Sequence, residues 1–170
     1  FNQASSATLD GAISGGGNLV KGGAGTLTIN GINSGLTTTT LINGGTVKVG
    51  STTALGGAGV IITNGATLDI VGLNLGTLPI TVSGTGVGGT GAIVSTGPPL
   101  LTGNAGTGVS GLTLSGDTTI GGSGPWDTDP VKNLGVWGIN NGTLTTGGAN
   151  YNLVKVGLNQ FGLSGSTTVD

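Results

Sequence analysis

Hydrophobic and polar positions alternate along this chain in short runs that stop at glycine. In Asn18 to Gly31, NLVKGGAGTLTING, Leu27 and Ile29 alternate with Thr26 and Thr28, so a strand here puts aliphatics on one face and hydroxyls on the other. Comparable runs occupy Ala7 to Ile13, Leu36 to Ile42, Thr46 to Val49, Val60 to Ile62 and Thr67 to Ile70, separated by Asn-Gly steps or glycine clusters. Leu27, Val47 and Leu68, all placed inward by the alternation, recur after 20 and then 21 residues. A period of that length, made of short strands and glycine corners, predicts coils stacked in parallel.

Beyond Ile70 the spacing loosens. Leu78 to Val82 is a strand entered at Pro79, which suits a first-residue or edge position. Gly84 to Gly91 and Pro98-Pro99 interrupt the pattern, and Leu112 to Leu114, Thr118 to Ile120, Val136 to Ile139 and Thr143-Leu144 restore it. Gly121 to Lys132, GGSGPWDTDPVK, concentrates two prolines, two carboxylates and Trp126, and is expected to leave the coil as a loop. Asn152 to Gly165, NLVKVGLNQFGLSG, is a second copy of the Asn18 to Gly31 unit, followed at Ser166 to Val169 by the start of another strand.

Antiparallel hairpins compete with this reading, because Asn-Gly between alternating runs is also a hairpin signal. A meander needs uniform strand spacing and a second sheet over its apolar face. The long and short glycine spacings favour the coil. The expectation is one all-β domain over 1–170, a β-solenoid essentially without α-helix, with a protruding loop at 121–132. Few windows avoid glycine for the three turns a helix needs.

Composition narrows the function more than the fold. Glycine supplies 40 of 170 residues, yet only 6% are charged and the mean hydropathy is +0.32, which opposes disorder. Cysteine, methionine, histidine, arginine and glutamate are absent, which removes disulfides, thiolate metal sites and imidazole acid–base chemistry. A net charge of -2 with four lysines makes no phosphate-tracking groove, so no nucleic-acid partner is expected. Apolar runs are too short to insert in a bilayer as helices. The sequence opens on Phe1 without a basic-apolar signal segment, as expected for a mature product or part of a longer chain.

The residues Gly16, Gly17, Leu19, Lys21, Gly23, Gly25, Thr26, Leu27, Ile29, Gly31, Asn33, Gly44, Gly45, Thr46 and Val47 resemble the autotransporter-associated β-strand repeat, also called the passenger-associated transport repeat. The resemblance is good over Thr8 to Ile70 and partial over Asn140 to Val169, where Asn159, Gln160 and Phe161 replace the family's Gly-Thr-Leu. It implies a right-handed parallel β-helix, exported to the cell surface or beyond. The function it suggests is an extracellular structural rod, stalk or filament subunit stacking end to end. The alternative is a surface-displayed adhesin that binds a glycan or a neighbouring cell through the 121–132 loop.

Each candidate for chemistry has a structural alternative. Asp127 and Asp129 offer oxygens to Ca²⁺, but two carboxylates in a turn are expected to be solvated. Trp126, Trp137 and Tyr151 have the faces of a sugar platform, and plugging or capping the interior is preferred. The threonine runs Thr37 to Thr40, Thr52-Thr53, Thr118-Thr119 and Thr167-Thr168 lack the regularity of an ice-binding array. Lys21 and Lys155, at the same place in the two NLVK units, are expected to point outward into solvent. No catalytic, cofactor or metal residue is assigned, and no enzymatic activity is expected.

Overall fold

The computed structural model describes residues 1–97, 108–123, 136–164, 166 and 168–170. It is all-β: among the described residues there is no α-helix, and the one helical element is a three-residue 3-10 turn at Val87–Gly89. The strands are β1 (Ala7–Leu9), β2 (Leu19–Lys21), β3 (Thr26–Ile29), β4 (Thr40–Ile42), β5 (Gly45–Val49), β6 (Val60–Ile62), β7 (Ala66–Asp69), β8 (Pro79–Gly84), β9 (Ile93–Val94), β10 (Gly108–Gly121), β11 (Val136–Thr145), β12 (Leu153–Lys155), β13 (Gln160–Ser164) and β14 (Thr168–Val169). All belong to one 14-stranded sheet, and every pairing in it is parallel. Hairpins are therefore excluded, since parallel neighbours need a crossover.

Odd and even strands form two sides of a β-solenoid-like coil. The odd side stacks β1, β3, β5, β7 and β9, the even side stacks β2, β4, β6 and β8, and β10 joins them. Its middle pairs with β8 on the even side and its end with β9 on the odd side, so this strand of 14 residues rounds a corner. A third side carries the return path. There Gly15 bridges Leu36, and Leu75 N–H donates to the Gly108 carbonyl at 2.8 Å. Toward the C-terminal end this side becomes regular strand, where β13 pairs with the first half of β11.

The recurring inward residues form continuous columns. On the odd side Ala7, Leu27, Val47, Leu68, Ile93, Ile120 and Lys155 lie opposite one another in succession. On the even side the succession is Leu19, Thr40, Val60, Ile80, Leu112, Leu144 and Val169. Leu27, Val47 and Leu68, picked out by their spacing, are completely buried. The interior is aliphatic, with Leu36, Leu55 and Val109 entering from the third side, and it is one continuous cluster.

Several strand boundaries differ from the sequence reading. Leu36 to Ile42 contains strand only at Thr40–Ile42, because Leu36 is spent on the third-side bridge. The separate runs around Leu112 and Thr118 are one strand, as are those around Val136 and Thr143. Pro79 does open its strand, but β8 is paired on both sides and is no edge. The loosened spacing after Ile70 comes from excursions that leave the columns intact. Pro98-Pro99 and nearly all of the 121–132 loop fall outside the described residues, although Gly121 itself ends β10.

The two NLVK units occupy different sides. In the first copy they form β2 on the even side, and in the second they form β12 on the odd side. The sequence similarity thus marks a strand-and-corner unit rather than a fixed place in the coil. Asn159, where the second copy departs from the family pattern, is buried, and its amide donates to the Ser95 carbonyl at 3.1 Å. A different corner, the one after β3, is held by Asn33, which accepts from Ile13 N–H at 2.6 Å and donates to the Ala54 carbonyl at 2.6 Å.

Candidate functional site

Lys21 points inward, against the expectation of a solvated side chain. It shares the inner face of β2 with Leu19 and is fully buried. The corner between β2 and β3 and the one between β4 and β5 turn backbone carbonyls toward it, and the ammonium donates to those of Gly22 and Gly23 (2.8 Å) in the first and Gly44 (3.0 Å) in the second. Three acceptors match the three donors of an ammonium, which is how burial is tolerated. Burial still lowers the Lys21 pKa. Lys155 makes the same curl onto the next two carbonyls, Val156 at 2.5 Å and Gly157 at 3.3 Å, but it ends its column and remains exposed.

A second polar group lies on the outer face of β7. Asp69 is 1% exposed; its carboxylate accepts from Thr96 Oγ1 at 2.6 Å, Thr96 N–H at 3.1 Å and Val71 N–H at 3.0 Å, with Lys48 Nζ at 3.5 Å. The groups that close over this outward residue come from Thr96, just past β9, and from Val71 in the turn after β7. Thr67 Oγ1 accepts from Val87 N–H at 2.8 Å and donates to the Gly91 carbonyl at 2.9 Å, pinning the excursion between β8 and β9 to the coil. Thr67→Val, nearly isosteric, is expected to cost about 1–3 kcal/mol by leaving both groups unpaired. Thermal unfolding reads the loss, and faster amide exchange at Val87 locates it.

The aromatics do not assemble a platform. Trp137 is 3% exposed and meets Phe161 edge to face, with ring centroids 4.9 Å apart, so it fills the interior. Tyr151 lies apart and half-exposed, and Trp126, Asp127 and Asp129 are outside the described residues. Nor do the threonine runs share a face. Thr40 and Thr118 are buried, while Thr38 holds the Gly17 carbonyl at 2.7 Å. Outward threonines align in threes on separate sides, Thr26, Thr46 and Thr67 on the odd side and Thr81, Thr113 and Thr145 on the even side, the latter continuing a column that begins Val20, Leu41, Ile61. No group of three metal-ligating side chains occurs among the described residues. A shallow cleft of about 460 Å³ beside β9 and β12 is lined by Val94, Val156, Thr90, Thr96 and glycine backbone.

The ends of the coil are its most unusual surfaces. At the C-terminal end Leu163 and Val169, inward in their columns, are 47% and 55% exposed, with no further strand stacked on them among the described residues. At the other end Phe1 is 50% exposed, and Ala7, Leu9 and Ile13 are partly buried. Sequence reasoning missed these residues individually, although alternation carried through to the last strand was the available signal. No protein-family model matches the chain, no curated protein matches it in sequence, and no solved structure matches it.

Proposed function

We propose that this chain is an extracellular structural protein, a length of right-handed β-helical rod that joins others end to end in a stalk or filament. The observation that carries the reading is the pair of parallel columns that runs unbroken through the coils, which makes the chain a length of continuous rod. A solenoid leaves unpaired ladder groups at its ends unless they are capped or continued. Two further features support it: an almost uncharged surface suits an inert spacer, and the resemblance to passenger repeats supplies the extracellular setting. The functional feature of this reading is the continuous coil itself, and no reaction is assigned to it.

Electron microscopy of the native material tests it. The expected result is rods or filaments outside the cell with an axial spacing of about 4.8 Å from the stacked strands. Isolated compact particles, or a location inside the cell, would overturn the reading.

A further inference from the structure

The asparagine-glycine steps that punctuate the coil are also the places where a peptide chain is chemically least durable. Glycine has no side chain to shield its own N–H, so its deprotonated nitrogen can attack the side-chain carbonyl of the preceding asparagine and close a succinimide ring. Four such steps occur, Asn30-Gly31, Asn43-Gly44, Asn64-Gly65 and Asn141-Gly142. The coil engages three of the four amides. Asn30 donates to Asp10 Oδ1 at 2.7 Å, and its own Oδ1 occupies the space that a side chain on Gly50 of the next coil would take. Asn64 Oδ1 fills the same kind of space beside Gly84, and Asn141 Oδ1 accepts from Ser166 N–H at 2.9 Å. Asn43 differs: it is exposed, and its side chain makes no hydrogen bond among the described residues.

The backbone at Asn43-Gly44 is free at the attacking atom and held on either side of it. Asn43 N–H donates to the Lys21 carbonyl at 2.8 Å, and the Gly44 carbonyl receives the Lys21 ammonium at 3.0 Å. Gly44 N–H, the group that must attack, donates to nothing among the described residues. The ammonium is thus fixed beside the nitrogen that has to lose a proton, and a neighbouring positive charge favours the anion.

We propose that Asn43-Gly44 is a site of spontaneous covalent modification, the step at which the folded protein ages first, and that the change is transmitted to the buried lysine. The Gly44 nitrogen gives its proton to solvent base and bonds to Asn43 Cγ, while the bond from Cγ to the side-chain nitrogen breaks and ammonia leaves. Water then opens the ring at either carbonyl. One opening leaves an aspartyl residue at position 43; the other reroutes the chain through the side chain and leaves an isoaspartyl residue. The isoaspartyl link puts one more carbon into the corner between β4 and β5. That corner has little slack, because Gly45 beyond it has φ of 63° and lies tight against the Gly23 and Gly25 carbonyls of the preceding coil. The added length therefore displaces the Gly44 carbonyl and leaves the Lys21 ammonium with Gly22 and Gly23 alone. A buried ammonium short of an acceptor destabilises the coil around it.

The test incubates the folded protein, and in parallel the chain unfolded in denaturant, at mildly alkaline pH, with conversion at each asparagine followed by peptide mapping and mass spectrometry. In denaturant the four steps are expected to convert at comparable rates. In the folded protein Asn43 is expected to lead, with the other three at least about tenfold slower because each engaged amide must first be released by local opening. Another asparagine leading in the folded protein, or four rates in the same proportions as in denaturant, overturns the proposal. The isoaspartyl fraction is expected to unfold at a lower temperature than fresh protein. Asn43→Asp adds the same charge without the extra carbon and is expected to unfold together with fresh protein. Equal destabilisation of Asn43→Asp and the isoaspartyl fraction overturns the transmission to Lys21.

Discussion

Gly45→Ala is expected to destabilise the protein by about 3 kcal/mol or more, from backbone strain combined with steric overlap. Gly45 opens β5 with φ of 63°, in the left-handed region. A methyl group there would also lie 2.6 Å from the Gly23 carbonyl oxygen and closer still to that of Gly25. Those oxygens belong to the preceding coil, at the corner that Lys21 holds, so they cannot withdraw without breaking the column. Gly65→Ala is the matched control: φ is 86°, but no atom lies within 4 Å of the added methyl. It is expected to cost about 1 kcal/mol, from strain alone. Chemical denaturation of the two variants separates strain from close approach, and equal losses would refute the steric account.

Lys21→Ala is expected to cost about 3–4 kcal/mol, because it removes a buried four-carbon stem and the donor to three carbonyls together. Lys21→Met keeps the stem and is expected to cost about 1–2 kcal/mol, since the glycine carbonyls it abandons retain some access to water. The two substitutions also differ from wild type in pH dependence. Burial lowers the ammonium's pKa below the ordinary 10.5. Between that lowered value and 10.5 the unfolded chain holds more protons than the folded one, so wild-type stability rises with pH across the window relative to Lys21→Met. Below the window the difference is constant. Denaturation curves from pH 7 to 10.5 read the slope, and a difference that shrinks with rising pH would contradict the burial argument.

Parity and charge gave opposite answers for Lys21, and parity was right. Leu19 and Lys21 share a face by simple alternation, but a lysine is ordinarily assigned to water. The carbonyls that receive it come from a corner 23 residues away as well as from its own, and nothing local in the sequence announces them. The inward column Leu27, Val47, Leu68 was legible because its period is nearly constant while the coils are plain. It became hard to follow once the excursion held by Thr67 lengthened the coil, since an insertion on the outer surface shifts the numbering without shifting the column. The position of the second NLVK unit was illegible for a related reason. A strand, a lysine and a glycine corner suit either side of the coil, so similarity identifies the unit and only pairing identifies the side.

The parallel columns also fix how the molecule carries load. Its ladder hydrogen bonds point along the coil axis, while the chain runs across it. Tension between the two ends therefore falls on one rung of bonds at a time, and an outermost coil can peel away without disturbing those behind it. Bending is resisted differently, because it must compress the aliphatic interior on one side. Such a body is rigid across its axis and yields stepwise along it, with the corner lysine of β2 tying its own coil to the one that carries Gly44.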